Sequence, residues 1–246
     1  MDVKTIFKRY EYKYLLNVNQ FEKILNELNK YMSFDEYGKM TVRNIYYDTD
    51  SYQLIRNSID KPEYKEKVRI RSYEKVTSDD SVFVELKKKY DGIVYKRRMV
   101  LTENEAMEWL NGRKHCSEDT QISREIDYVF AFYKTLKPKA FITYDRSAYF
   151  MNDESDFRVT FDRNILFRDT DISLKSDIYG ENLIDKEQIL MEIKCSGGIP
   201  LWMVNILSEE KIYKSSFSKY GAAYKNIIFP KLKSKGIKYT GEIRYA

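Results

Sequence analysis

The chain has 246 residues, 43% of them hydrophobic and 33% charged, which is enough to bury a substantial core in one large domain or two small ones. A net charge of +5 is too small by itself to mark a nucleic-acid binder, two cysteines (Cys116 and Cys195) build no disulfide framework, and a single histidine, His115, leaves no His-rich zinc site and, from a polar loop, disfavours a Ser-His-Asp triad. No stretch approaches the roughly 20 apolar residues of a membrane span, and the first residues lack a continuous apolar run, so a cytoplasmic protein is expected.

In chain order, KRYEYKY alternates with period two and reads as a strand. NVNQFEKILNELNKYM then places Phe21, Ile24, Leu25, Leu28 and Met32 on one helical face, with Asn17 or Asn19 as its cap. Four alternating runs follow: TVRNIYYD, KVRIRSYE, FVELKKK and IVYKRRMVL. TENEAMEWLNG opens on a Thr102–Glu105 capping box and ends at Gly112; the polar stretch NGRKHCSEDT is a loop. SREIDYVFAFYKTLKP carries Ile126, Val129, Phe130, Tyr133 and Leu136 on one stripe and stops before Pro138. AFITYDR, FRVTFDRN and ILMEIK are strands, and helices follow Pro200 in LWMVNILSEEK and near SKYGAAYKNII. No repeat or linker interrupts the chain, so residues 1–246 are expected to form one domain, with about 230–246 as a basic tail.

Two readings compete for residues 82–101. Lys89-Tyr90-Asp91-Gly92 matches Lys-x-Asp-Gly, the signature of enzymes that carry a nucleotide on lysine. Asp-Gly between two alternating runs is also the strongest short-range hairpin signal. A nucleophilic lysine needs a pocket that lowers its pKa, and Lys89 follows two other lysines at a strand end, so Asp91-Gly92 is read as a turn.

The strands are unusual in what alternates. Taking Lys96 and Arg98 in YKRRM (Arg97 is the other choice, which the pattern leaves open), the polar faces hold ten bases: Arg9, Lys13, Arg69, Arg71, Lys87, Lys96, Arg98, Arg146, Arg158 and Lys194. They hold four acids, Glu11, Glu85, Asp162 and Glu192, so the surplus of six exceeds the net charge of the whole chain. A solvated, salt-bridged face explains one such strand. Seven strands with the same habit point instead to an α+β fold whose antiparallel barrel forms a charged tunnel, with helices at its periphery. A desolvated, cation-lined interior requires a polyanion, and arginine forks match phosphate oxygens.

In chain order the motifs R-x-E-x-K, R-x-R, E-L-K, K-x-R, Y-x-R, R-x-T-F-D, E-I-K and S-K-Y-G run from KRYEYKY to SKYG. Together they resemble the catalytic domain of the vacuolar transporter chaperone (VTC) polyphosphate polymerases, within the triphosphate tunnel metalloenzyme superfamily that includes CYTH-type triphosphatases. The resemblance implies that Arg69, Arg71, Lys87, Lys96, Arg98, Arg146 and Arg158 hold substrate or product phosphates. Arg9, Lys13 and Lys194 would add charge and Tyr144 a hydroxyl, while Ser218 and Lys219 cap the tunnel from a helix. Glu192 would bind Mg²⁺ or Mn²⁺, helped by Glu11 or Glu85. The partners so implied are ATP and inorganic polyphosphate, without nucleic acid and with a membrane protein for product export. The eukaryotic polymerases carry regulatory and membrane-spanning domains of which these residues show neither.

Many tunnel triphosphatases open with E-x-E-x-K, whereas Arg9 stands first here, which favours the polymerase branch over hydrolysis of tripolyphosphate or nucleoside triphosphates. A non-catalytic module that binds polyphosphate or nucleotides is the second alternative. A single-stranded RNA binder is the third, disfavoured because the tyrosines mostly alternate away from the basic face.

Overall fold

The computed structural model of the chain describes residues 10–60, 62–91, 93–153 and 156–237. Arg9 and residues 238–246 of the expected tail lie outside them. Each alternating run becomes a strand: β1 (Tyr10–Leu16), β2 (Met32–Asp48), β3 (Tyr64–Ser72), β4 (Ser81–Tyr90), β5 (Ile93–Thr102), β6 (Lys137–Met151) and β7 (Arg158–Arg168). After the two-residue β8 (Glu181–Asn182) come β9 (Ile189–Cys195) and the two-residue β10 (Lys214–Ser215).

Backbone hydrogen bonds order them β10-β1-β9-β7-β6-β2-β3-β4-β5, with β8 on β7. The ladders whose registers are given below are antiparallel. Among the described residues this order is an open path, so the expected antiparallel architecture is present while the word barrel is too strong for its hydrogen bonding. Alternation decides which face each side chain takes. It carries nothing about whether the two ends of a ladder pair.

The helices form where caps and apolar stripes coincide. In α1 (Val18–Leu28) Asn17 is the cap, its Oδ1 accepting from the Gln20 amide at 2.9 Å. The unexpected α2 (Gln53–Ile59) is too short for its periodicity to show. Asp48, at the end of β2, caps it from a distance: its carboxylate accepts from the amides of Thr49, Leu54 and Ile55 at 2.8, 2.9 and 3.0 Å. The Thr102–Glu105 box opens α3 (Glu103–Leu110), and Gly112 follows at φ +71°. α4 (Gln121–Tyr133) buries Ile126, Val129 and Tyr133 as expected but stops at Lys134, which turns the chain at φ +58°. α5 (Leu201–Glu209) starts after Pro200, and the C-terminal helix runs through α6 (Lys219–Ala223), a π-helical turn (Tyr224–Ile228) and α7 (Phe229–Ser234).

The chain groups into two compact units. The first comprises Met1–Thr41, Tyr144–Ile165 and Ile184–Ser218. Its core packs Leu16, Ile24 and Leu28 with Val159, Phe161, Met191, Ile193 and Met203, and Cys195 is buried there as an ordinary apolar thiol. The second comprises Val42–Thr143, Leu166–Leu183 and Lys219–Ala246. There Val68, Ile70, Val84 and Leu86, the apolar sides of β3 and β4, pack with Trp109 of α3 and Ile126 and Val129 of α4. No helix among the described residues is long and apolar enough to cross a membrane.

Candidate functional site

In the second unit the β4–β5 ladder runs from Ser81↔Thr102 to Tyr90↔Ile93, with Asp91 following β4; Gly92 lies outside the described residues. Asp91 lies at φ +43°, the left-handed conformation that such a hairpin requires. Lys89 is a strand residue between Lys65 and Val94, which agrees with the turn reading.

The same register settles YKRRM. Glu85 stands opposite Arg98 and Lys87 opposite Lys96, so these four share a face, while Arg97 points to the other and meets Glu125 of α4 at 3.3 Å. On β3, Arg69 is the partner of Glu85 and Lys67 of Lys87, with Arg71 two residues along. On β2, Tyr46 is the partner of Arg69 and Asn44 of Arg71.

Glu85 is the hub of this cluster and only 2% exposed. Its Oε2 takes Arg69 Nε at 2.7 Å and lies 4.0 Å from Arg71 Nε; its Oε1 takes Arg98 Nε and Lys96 Nζ, each at 2.8 Å. Burial alone would raise the Glu85 pKa, but Arg69, Arg71 and Lys96 outweigh it and hold the carboxyl well below the usual carboxylate range. Four cations around one carboxylate leave a surplus of three positive charges. Aromatic rings flank two of the guanidinium groups: Arg98 lies 4.4 Å from the Phe83 ring centre, and Arg71 lies 5.9 Å from that of Tyr73. Arg69 Nη1 donates to the Tyr46 hydroxyl at 3.1 Å. Tyr46 is pushed up by burial, yet Arg69, Arg71 and Lys67 together bring it down to about 8.

A second cluster lies in the first unit, where β1, β9 and β7 pair side by side. Lys13 stands opposite Glu192 and Glu11 opposite Lys194; across the other ladder, Thr160 faces Glu192 and Arg158 faces Lys194. Lys13 Nζ lies 3.4 Å from Glu11 and 3.7 Å from Glu192, and it donates to the Phe217 carbonyl, one residue before Ser218, at 3.3 Å. Lys194 Nζ lies 2.6 Å from Glu192. Glu192 is buried, which raises its pKa, but Lys194, Lys13 and Arg146 overcome this and hold it far below the usual carboxylate range. Arg146 is clamped by Asp162 through Nε–Oδ1 at 2.6 Å and Nη2–Oδ2 at 2.8 Å, a bidentate fork, with its guanidinium 5.1 Å from the Tyr144 ring centre.

Each unit thus gathers most of the cations expected of it around one buried glutamate. Lys87 and Arg158 sit on the right faces but at exposed positions, and Lys219 opens α6 directly after Ser218. The carboxylates named for a metal differ in their surroundings. Glu85 has both oxygens taken by arginine and lysine donors, which makes it an organiser of cations. Glu192 has Lys194 at 2.6 Å on one oxygen and Lys13 at a looser 3.7 Å on the other, and Lys13 also lies 3.4 Å from Glu11. Across the ladder from Glu192 the Thr160 hydroxyl is buried without a hydrogen-bond partner among the described residues, an orphaned oxygen opposite an ionised carboxylate. One or two carboxylates and an extra oxygen suit Mg²⁺ or Mn²⁺, which complete their shells with water and substrate phosphate. Among the described residues no group of three or more His, Cys, Asp or Glu makes a closed site, and such a site needs none.

Asn44, Tyr46 and Tyr73 were not found by sequence reasoning, and Thr160 stood on the polar face, in R-x-T-F-D, without a role. In TVRNIYYD the one cation, Arg43, is on the opposite face to Asn44 and Tyr46, where it is buried and donates to the carbonyls of Leu174 and Ser176. A search for cations therefore picks the wrong side of β2. Uncharged Asn and Tyr beside a cation cluster give no signal until the register is known.

The sequence model of the VTC domain matches residues 8–228 of the chain. No curated protein matches it by sequence. Among solved structures, it is similar to a candidate adenylyl cyclase from Hippeastrum that shows a dominant triphosphatase activity (14% identity, TM-score 0.50, covering 93% of this chain and 96% of that one). It is also similar to a candidate adenylate cyclase from Bacillus halodurans (16% identity, TM-score 0.46, 94% and 91%) and to the PH1819 protein from Pyrococcus horikoshii OT3 (14% identity, TM-score 0.45, 92% and 99%). The likeness to the Hippeastrum protein is one of fold, and it agrees with the antiparallel α+β class expected from the motifs.

Proposed function

This chain belongs to the VTC domain family, and on that premise we propose that it is an inorganic polyphosphate polymerase, transferring the γ-phosphate of ATP onto a growing polyphosphate chain. The observation that carries the reading is the cluster on Glu85: four cations from β3 and β5 around one buried carboxylate, with a positive surplus that a string of phosphates would balance. Phosphoryl transfer asks for alignment and charge neutralisation more than for a covalent residue. Arg69, Arg71, Lys96 and Arg98 would hold phosphate oxygens, and Arg146, fixed by its fork to Asp162, would offset charge as it develops. The attacking terminal phosphate is already anionic, so no strong base is required, which suits a chain with one histidine. Glu192, with Glu11 and the Thr160 hydroxyl at hand, would hold Mg²⁺ or Mn²⁺. A divalent ion held there would supply Lewis-acid neutralisation of phosphate charge. Lys13 would release the two carboxylates and turn to substrate. In the cell the product's destination would call for a membrane-protein partner, with the chain itself on the cytoplasmic side.

The second reading is a triphosphatase, in which water attacks the same phosphate. It draws on the fold shared with the Hippeastrum protein and its triphosphatase activity. Phosphorus NMR of the purified protein with ATP and Mn²⁺ or Mg²⁺ separates the two. Interior-chain phosphate signals growing with ADP establish the polymerase; orthophosphate without them establishes the hydrolase; unchanged ATP leaves a binding module. Arg71→Ala and Glu192→Gln are expected to abolish turnover without unfolding the protein, and wild-type turnover in either removes that residue from the mechanism.

A further inference from the structure

The phosphate-binding arginines of β3 do not hold their own orientation. Arg71 Nε donates to Asn44 Oδ1 at 3.0 Å, and the Asn44 amide nitrogen donates in turn to the Ile142 carbonyl of β6 at 3.0 Å. Asn44 is wholly buried, so its amide is fixed at both ends and presents one oxygen to one arginine. Arg69 is held in the same manner from the next position on that face of β2: its Nη1 donates to the Tyr46 hydroxyl at 3.1 Å, with its guanidinium 5.8 Å from the ring centre. The Tyr46 ring stacks on Tyr220 of α6 at 5.0 Å with 28° between planes, and the Tyr220 hydroxyl donates to the buried Asp48 carboxylate at 3.1 Å. One face of β2 thus supplies Asn44, Tyr46 and Asp48 in succession, and none of them is a cation.

We propose that Asn44 and Tyr46 are positioning residues of the phosphate site, fixing Arg71 and Arg69, and that the Tyr46–Tyr220 stack ties the helix bearing Lys219 to the same arginines. The inference rests on the phosphate-binding reading of the Glu85 cluster. An arginine has several rotatable bonds, and a guanidinium held by a neutral acceptor keeps its remaining N–H groups aimed without spending its charge on that contact. Glu85 supplies the opposing carboxylate: it accepts from Arg69 Nε at 2.7 Å, so that arginine is gripped from two directions, and it lies 4.0 Å from Arg71 Nε as a counter-charge. The cost of ordering the side chains is then met by the fold before substrate arrives.

The test is a pair of double-mutant cycles read by calorimetric binding of tripolyphosphate to the full chain, with urea stability measured alongside. Tyr46→Phe removes one hydroxyl and keeps the ring stack, so it is expected to fold and to weaken tripolyphosphate about tenfold. In an Arg69→Ala background the same substitution is expected to change binding by less than about twofold, because its target is gone. Asn44→Ala is expected to behave likewise with Arg71→Ala; Asn44→Ser replaces it if the alanine variant fails to fold. A purely structural role predicts equal, additive losses in both backgrounds, and that result overturns the positioning inference, as does wild-type binding by Tyr46→Phe. If instead Arg69→Ala and Arg71→Ala themselves bind tripolyphosphate like wild type, the phosphate-site reading fails, and the inference with it, by a separate measurement.

Discussion

Replacing Glu85 by glutamine keeps the shape of the hub and removes its charge. In the native cluster the carboxylate touches Arg69, Lys96 and Arg98 at 2.7–2.8 Å and lies 4.0 Å from Arg71. The Lys96 contact contributes least, since that side chain is 45% exposed and screened by water. Arg69 and Arg71, at 21% and 9%, have less solvent to fall back on. Taking one partner from a buried ionic group costs about 3–5 kcal/mol. For a chain of this length that is a fall in Tm on the order of 10 °C. The depressed Glu85 pKa sets the pH sign: its contribution is present above the ordinary carboxylate range and is lost as pH falls through its lowered folded value. Melting curves of wild type and Glu85→Gln should therefore lie far apart at neutral pH and converge in acid. Tripolyphosphate, by supplying the missing negative charge, should rescue the variant by more than it stabilises the wild type. A loss below about 1 kcal/mol at neutral pH, the range of exposed pairs, would refute the view that Glu85 organises these cations.

Two further outcomes follow from individual groups. Tyr46, lowered to about 8, favours the phenolate in the fold, so its contribution is present above the unfolded value of 10 and is lost as pH falls through 8. Ultraviolet titration should show a phenolate step near pH 8 that vanishes in Tyr46→Phe and moves upward when tripolyphosphate neutralises the neighbouring arginines; no step below about pH 9 would contradict the placement. Asp48 runs the other way. Burial raises it to about 6 despite the donors of Thr49, Leu54, Ile55 and Tyr220, so its contribution is full below 3.8 and is lost as pH rises through 6. That is worth about 3 kcal/mol, and Asp48→Asn should remove this pH slope from denaturant stability, whereas a slope retained in the variant would assign it to another group.

Much of the site was legible in the order of residues. Strict alternation in KVRIRS and FVELK puts Arg69, Arg71 and Glu85 on polar faces whatever the strands pair with, because successive side chains in a strand must point to opposite sides. The caps of α1 and α3 were legible for the same reason: Asn17 with Gln20 and Thr102 with Glu105 act within a single turn. Residue order therefore dictates local matters, namely which residues share a face and where helices begin. Which face meets which is set in the folded chain. The register of β4 against β5 chose Arg98 over Arg97, and the register of β2 against β3 brought uncharged Asn44 and Tyr46 to the arginines while Arg43 turned away. Asp48 reaches across to cap α2 and receive Tyr220, a contact 172 residues apart in the chain. Such partners are set by hydrogen-bond register and packing between distant segments, and no short-range pattern encodes them.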